Sequence, residues 1–235
     1  PGGNILTTHL RGVREVNRDG RIVWELGVEP PDEVPTCQPL PDGGLLVGIV
    51  GRCRLLELDR ERRVVHEIPL STPVKEPHAQ FRMCRKTPQG TYLVPFTAEG
   101  AVREVDRNGT VVREFPRRPT PVCALRLEDG HTLISADRAV TEYDRSDRIV
   151  WELTETDIPD VNIAVPAGIQ RLPNGNTIVC NWNTRDEGGR DGAHIFEVTP
   201  DKRVVWQVTG DSIGQVAQCQ LLTPALEPRT DGIVR

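Results

Sequence analysis

One phrase recurs five times along this chain. It consists of a turn, an apolar strand and a pattern close to Val-x-Glu-Val-Asp-Arg-x-Gly-x-Val-Val-Trp-Glu-Leu. The five copies occupy residues 12–26, 55–68, 102–115, 140–153 and 195–208, and their register is kept by Glu15, Glu57, Glu104, Glu142 and Glu197. Repeats of this length, built from short strands without helical periodicity, are typical of the blades of a β-propeller.

Each copy divides into four strand-like pieces, a to d, joined by tight turns such as 18–21, 41–44 and 128–131. Pro1 aligns with Pro173, so the chain starts in an a–b turn, and 216–222 has the pattern of an unaccompanied strand a. A ring closed by this C-terminal strand would remove two exposed sheet edges. We therefore expect one all-β domain over residues 1–235, with five four-stranded blades. The alternative is six or more blades with an N-terminal portion missing.

Composition excludes some partners. The chain has a net charge of −5 and contains no Lys/Arg cluster, so we expect no nucleic-acid partner. No apolar run approaches the roughly 18–20 residues that span a bilayer. The residues given contain no signal peptide.

The segment 172–179, Leu-Pro-Asn-Gly-Asn-Thr-Ile-Val, and the Val-Val-Trp-Glu-Leu strand ends resemble the PQQ-like (quinoprotein-type) propeller repeats over essentially the whole chain. The segments 77–82, 90–94 and 181–182 are similar to a branch of secreted bacterial propellers of unassigned activity. The resemblance implies a secreted or periplasmic protein, and such relatives usually have more than five blades. It does not imply the quinone, because quinoprotein dehydrogenases carry an adjacent-cysteine disulfide and no two cysteines are adjacent here. We expect no cofactor.

In a propeller the d–a and b–c connections surround the mouth of the central channel, where ligands bind by default. Residues 183–192 form the longest irregular connection, and Asn181, Trp182 and Asn183 lie at its start. An aromatic face with flanking amides suits a sugar ring. The alternative is a Trp that simply packs at a strand end.

A second candidate group departs from the repeat pattern: His78, Gln80, Arg82 and Arg85 replace the expected apolar and small residues. The two arginines could clamp a carboxylate or sulfate, and His78 could act as a base or nucleophile. His9 is the repeat equivalent of Asn181, so it is expected at the same mouth, beside Arg11. The alternative for each histidine is a capping or core hydrogen bond.

Two further columns have structural interpretations. The tryptophans Trp24, Trp151 and Trp206 are expected to pack between blades, and the repeat glutamates to pair with the Arg that follows the Asp or Asn. Cys37, Cys84 and Cys219 align on strand a, with Cys123 one residue off, while Cys53 and Cys180 lie on other strands. Packed thiols are favoured over a soft-metal site, and we expect no metal.

Three functions fit these features. The first is recognition of a small polar or anionic ligand, such as a glycan, at the channel mouth of a monomer. The second is a lyase or group-transfer enzyme, similar to arylsulfotransferases, with His78 as its catalytic residue and arginines that hold the anion. The third is a protein-interaction scaffold. Whether the chain is an enzyme is left open by the sequence.

Overall fold

The structure is a computed structural model that describes residues 4–182, 192–210 and 213–221. Within them the chain is an all-β, five-blade β-propeller, as the repeats predict, with one antiparallel sheet per repeat. The described residues include a single helical element, a 3-10 turn over Pro77–Ala79. The chain comprises two compact units, of which unit 1 ends at Arg117 and unit 2 begins at Arg118.

Unit 1 contains three sheets. The first has the strands β1 (Ile5–His9), β2 (Gly12–Val16) and β3 (Ile22–Gly27); the second has β4 (Glu33–Pro39), β5 (Leu45–Val50), β6 (Arg54–Leu58) and β7 (Val64–Pro69); the third has β8 (Arg85–Lys86), β9 (Tyr92–Phe96), β10 (Ala101–Val105) and β11 (Val111–Glu114). Each strand pairs with the next along the chain within its sheet, because the connections inside a repeat are short hairpin turns.

Unit 2 contains two sheets with the same antiparallel order. They comprise β12 (Cys123–Arg126), β13 (Thr132–Ala136), β14 (Ala139–Tyr143) and β15 (Ile149–Thr154), then β16 (Pro166–Arg171), β17 (Thr177–Asn181), β18 (Ile195–Val198) and β19 (Val204–Val208). The first two strands of one sheet, β12 and β13, both contact β16 of the other.

The repeat signature has a structural counterpart in every blade. Immediately after each repeat glutamate, the pairing between strands c and d shifts by one residue. Such a bulge bends the strand and increases its twist. The glutamate lies directly across from the Trp column, as in the pairs Glu15 with Trp24 and Glu142 with Trp151. The two columns seen in sequence therefore form one cross-strand feature.

The cores of unit 1 lie between its sheets. Trp24 of the first sheet packs on a cluster that includes Val47 of the second. Phe81, just before the third sheet, is fully buried with residues of β5 to β7. A side chain at Gly48 would place its Cβ 2.9 Å from the Phe81 ring, so this glycine permits the close packing of the two sheets. The ring of Phe96 completes the contact edge-on, with centroids 6.4 Å apart.

The Trp column packs between blades in two copies, as expected. Arg62 of the second sheet lies over the Trp24 ring. In unit 2, the Trp151 Nε1–H donates to the Pro200 carbonyl at 2.9 Å. Trp206 differs, because 47% of its surface is exposed.

Within the described residues the first sheet has three strands. The expected fourth strand over 216–222 is not formed in the described part of that segment, which has no regular secondary structure. Its hydrogen bonds instead include one from the Gly168 N–H in β16 to the Ala217 carbonyl, at 2.8 Å.

Each blade also exposes two large apolar side chains on strand d, the last strand in the order of its sheet. These are Ile22 and Val23, Val64 and Val65, Val111 and Val112, Ile149 and Val150, and Val205 and Trp206.

Candidate functional site

His78 lies in the connection between β7 and β8, on the 3-10 turn over Pro77–Ala79. Its imidazole is mostly exposed, and Nδ1 lies 2.8 Å from the Oε2 atom of Glu33 at the start of β4. Glu33 itself is largely covered, with 17% of its side chain exposed. A carboxylate on one ring nitrogen fixes the orientation of the ring and leaves Nε2 to accept a proton.

Arg82 stands near the same carboxylate. Burial lowers the pKa of its guanidinium, and the charge of Glu33 acts in the opposite direction. Its Nη1 donates to the Phe81 carbonyl at 3.2 Å. Among the described residues no carboxylate lies within ion-pair distance of Arg82, so its charge is only partly compensated.

Arg85 is more deeply placed, with 3% of its surface exposed on β8. Its Nη1 donates to the Cys84 carbonyl at 2.9 Å and lies 3.4 Å from the Thr36 hydroxyl of β4. Its Nε has no partner, and no carboxylate of the described chain forms an ion pair with it. Because a buried charge without a counter-charge is costly, this guanidinium is suited to receive an anion.

The charge of Arg85 also reaches the neighbouring inner strand. Burial raises the pKa of the Cys37 thiol on β4 to about 12, and Arg85 acts against that rise. On the same two strands the Lys86 N–H donates to Oε1 of Gln38 at 2.8 Å. Thus β4 and β8 lie side by side, with the Arg85 guanidinium held against β4.

Gln80 has a structural role. The residue is buried, its Oε1 accepts from the Gly51 N–H at 2.8 Å, and its Nε2 donates to the Val74 carbonyl at 3.1 Å. It therefore ties the β5–β6 and β7–β8 connections together. Each of its polar atoms already has a backbone partner.

His9 and Arg11 lie at the β1–β2 connection of unit 1. The His9 Nδ1 accepts from the Arg11 N–H at 3.4 Å, and Nε2 lies 3.4 Å from Oε1 of Glu25 without forming a hydrogen bond. The Arg11 Nη1 donates to the carbonyl of Asp32 at 2.5 Å. The Asp32 side chain in turn pairs with Arg52 at 3.0 Å. These contacts join the connection of the first blade to the entry of β4.

The remaining predicted residues belong to unit 2. Asn181 is fully buried, and its amide makes three hydrogen bonds, which join it to Asn162, Ala164 and Ala193 at 2.9 to 3.0 Å. Trp182 is half-buried, and its N–H donates to the Val165 carbonyl. Asn183 lies outside the described residues. The structure therefore groups His78 and Arg82 around Glu33 in unit 1, whereas Asn181 serves as a loop tether.

Glu33 is the residue that the sequence interpretation missed. It follows Asp32 as the first residue of the inner strand β4. The positions that align with it on the turn glycines are Gln80, Thr120 and Val165, so a carboxylate at this place was the available signal.

The repeat glutamates form ion pairs within the fold, but the prediction of which arginine each one pairs with is wrong. Glu15 pairs with Arg62 at 2.9 Å, not with Arg18. In unit 2, Glu142 binds Arg171 of the next sheet at 2.7 Å and His131 at 2.8 Å.

Asp129, His131 and Glu142 also bring three potential metal ligands within 4.8 Å, the one such group among the described residues. Because Arg171 already occupies one oxygen of Glu142, the group is explained as an ionic network.

Among solved structures, a protein of unknown function from Bacteroides caccae is similar to this chain. The two are 30% identical, with a TM-score of 0.85, and the match covers 92% of this chain and 81% of the other. The chain belongs to the family of this Bacteroides protein. The two proteins share the same fold.

More distant structures share the propeller fold. Virginiamycin B lyase from Staphylococcus aureus, solved with quinupristin, is 14% identical with a TM-score of 0.59 over 86% of this chain and 64% of the lyase. BBS1N in complex with ARL6DN is 13% identical with a TM-score of 0.58 over 98% of this chain and 73% of the other. At these identities the likeness concerns the fold alone.

No family model matches the chain, and no curated protein matches it. The PQQ-like assignment within the propellers therefore stays a prediction. In the described part of the chain, no helix has the length and apolar character that a membrane crossing requires.

Proposed function

We propose that this propeller binds a small anionic ligand at the loop end of unit 1, through Arg82 and Arg85. The observation that carries the proposal is Arg85, which is buried, has an unbonded Nε and forms no ion pair within the described chain. Arg82 adds a second guanidinium, near the charge of Glu33 but without an ion pair in the described chain. Two such groups favour a carboxylate or sulfate, which accepts bidentate hydrogen bonds from guanidinium.

The proposal is tested by thermal melts and calorimetric titration with glucuronate, 4-nitrophenyl sulfate and, as a neutral comparison, glucose. An anion at a hundred times its Kd should stabilise the protein by about 2.7 kcal/mol. Arg85→Met should weaken the binding at least about tenfold, because the charge is buried. Arg60→Gln is the matched control, since Arg60 is exposed in the β6–β7 turn. Equal anion affinity in wild type and Arg85→Met would overturn the proposal.

A second candidate is a lyase or group-transfer activity at the same loops. It is favoured by the pair of His78 and Glu33 at 2.8 Å, in which the carboxylate orients a solvent-facing base. It also draws on the lyase neighbour, which was solved as a catalytically inactive histidine-to-alanine variant. His78→Gln should abolish turnover of a bound substrate while its affinity is kept. Loss of affinity together with turnover would instead assign His78 to binding.

A test at Trp182 narrows the ligand class, because this residue is partly exposed and an indole ring stacks on a sugar ring. We expect Trp182→Ala to lose affinity for neutral oligosaccharides, and unchanged affinity would remove glycans from the proposal. We further propose that residues 1–235 form one monomeric domain that is exported. Sedimentation of the purified chain and fractionation of the source cells test these points.

A further inference from the structure

The C-terminal segment 213–221 runs along β16 of unit 2. The Gly168 N–H donates to the Ala217 carbonyl at 2.8 Å, and the Gln170 Nε2 donates to the Cys219 carbonyl at 2.7 Å. A Cβ on Gly168 would lie 2.8 Å from the Ala217 oxygen and 3.1 Å from Gln218 Cα. The missing side chain is therefore what lets the segment approach the sheet.

This approach brings Cys219 to the sheet that carries Cys180, near the end of β17. The Gln170 Nε2 of β16 holds Cys219 there, since it lies 2.7 Å from the Cys219 carbonyl and 3.3 Å from the Cys219 sulfur. A hydrogen bond between the Cys180 and Cys219 side chains shifts the pKa of both thiols.

The two thiols differ in access. All six cysteines lie within the described residues and none of them forms a disulfide, and Cys219 is the one that is not buried. Hydrogen bonds from the Cys180 thiol and the Gln170 amide lower the pKa of Cys219, against the effect of burial. The bond to Cys219 and burial raise the pKa of Cys180. A partly exposed thiol with a lowered pKa, beside a buried thiol with a raised pKa, is the arrangement of an attacking and a resolving cysteine.

We propose that Cys180 and Cys219 are an oxidisable pair, which closes to a disulfide by exchange with a low-molecular-weight disulfide such as oxidised glutathione. The Cys219 thiolate attacks one glutathione sulfur and releases the first glutathione as its thiol. Cys180 then loses its proton to the medium and attacks the Cys219 sulfur, which displaces the second glutathione. The two cysteines are oxidised, and one glutathione disulfide is reduced to two thiols.

The bond would enclose residues 181–218, which include β18 and β19. It would fasten the C-terminal segment to the sheet beside which it now lies through hydrogen bonds alone. Because a disulfide removes freedom mainly from the opened state, the oxidised protein should hold this segment more firmly than the reduced one.

The experiment is oxidation of the reduced full chain with oxidised glutathione, followed by intact mass and non-reducing peptide mapping. Wild type should lose two hydrogens and yield one linked pair of peptides, which contain Cys180 and Cys219. Cys180→Ser should stop at a glutathione adduct on Cys219, and Cys219→Ser should form neither species. Cys123→Ala, at the next nearest thiol, is the matched control and should close as wild type does.

Because Cys180 is buried, its replacement can disturb the fold. Gly168→Ala is therefore a second test, and it leaves both cysteines in place. By pushing the segment away, it should slow closure by roughly tenfold or more. Limited proteolysis should cut the segment more slowly in oxidised than in reduced wild type. A stable glutathione adduct on wild type, a link to Cys123, or closure unaffected by Gly168→Ala would overturn the proposal.

Discussion

The loop ends of the two units use polar side chains in opposite ways. In unit 2, the side-chain amide of Asn181 forms three hydrogen bonds, all of them to backbone groups. In unit 1, Gln80 bonds to two backbone groups, but Arg82 and Arg85 beside it form no ion pair within the described chain. Both sets were candidates of equal standing in the sequence.

The difference lies in what each group needs. An amide is satisfied by the carbonyls and N–H groups that loops present in abundance, whereas a buried guanidinium also needs a negative charge. A saturated amide is therefore explained by the fold, and an uncompensated guanidinium is not. Four predictions test this contrast.

The largest effect is expected at Asn181. Asn181→Ala leaves one N–H and two carbonyls without their partner, and unsatisfied buried groups cost about 1–3 kcal/mol each. We expect the free energy of unfolding to fall by about 4 kcal/mol in urea denaturation, within the upper range of single substitutions. Asn174→Ala, at an exposed turn of the same sheet, should lose less than about 1 kcal/mol. A small loss at Asn181 would remove its role as tether.

Gln80→Ala is the equivalent test in unit 1. Two loop contacts are lost, so we expect a loss of about 2 kcal/mol in the same assay. Gln89→Ala, on an exposed turn of the same blade, is the control. If Gln80→Ala left stability intact but abolished anion binding, Gln80 would be a ligand residue and the contrast with Arg85 would fail.

Arg85→Met should separate stability from binding. Because it removes a buried charge and keeps most of the apolar stem, the free energy of unfolding should be unchanged or rise by about 1 kcal/mol. The measurement is urea denaturation without added anions, with Arg85→Lys as the variant that keeps the charge. A loss comparable to that of Asn181→Ala would mean that Arg85 already has a compensating partner.

The smallest effect concerns an ion pair of unit 2, which joins Asp157 in the β15–β16 connection to Lys202 in the β18–β19 turn. The Lys202 ammonium, 2.8 Å away, lowers the pKa of Asp157 against the effect of burial. The pKa of Asp157 is therefore lower in the folded protein than in the unfolded chain. The ion pair stabilises the fold fully above the unfolded pKa, and this stabilisation disappears as the pH falls through the folded pKa.

Asp157→Asn should therefore reduce stability by less than about 1 kcal/mol at pH 7. The difference from wild type should vanish in acid, below the folded pKa of Asp157. Denaturation curves at several pH values measure it, with exposed Asp160→Asn as the control. A difference that persists in acid would show that the contact acts through packing and not through charge.

The fold was predictable because its determinants are local. Alternating apolar residues, hairpin turns and the register of the glutamates specify each sheet without knowledge of distant contacts. The c–d bulges at the glutamates escaped prediction, since a shift of one residue leaves no mark on the alternation. The first sheet lacks its expected fourth strand because the pattern over 216–222 gives a propensity and not a pairing partner.

The candidate site was predictable only in part. The departure from the repeat pointed to His78, Arg82 and Arg85, but the partner of His78 is Glu33, 45 residues away. No local pattern records such a contact. For the same reason Cys180 appeared unremarkable in the sequence, although it meets Cys219 across a gap that a glycine leaves open.

The exposed apolar pairs on the fourth strands bear on how the molecule behaves at high concentration. An edge strand offers unpaired backbone groups to any chain that can add to it, and five such edges would make weak attachments cooperative through multivalency. These strands are only four to six residues long, and charged residues lie among them, such as Glu67 in β7 and Glu114 in β11. Four of the five strands carry such a glutamate, and β19 carries no charge. A change that neutralised these charges should lower solubility well before it lowers the stability of the fold.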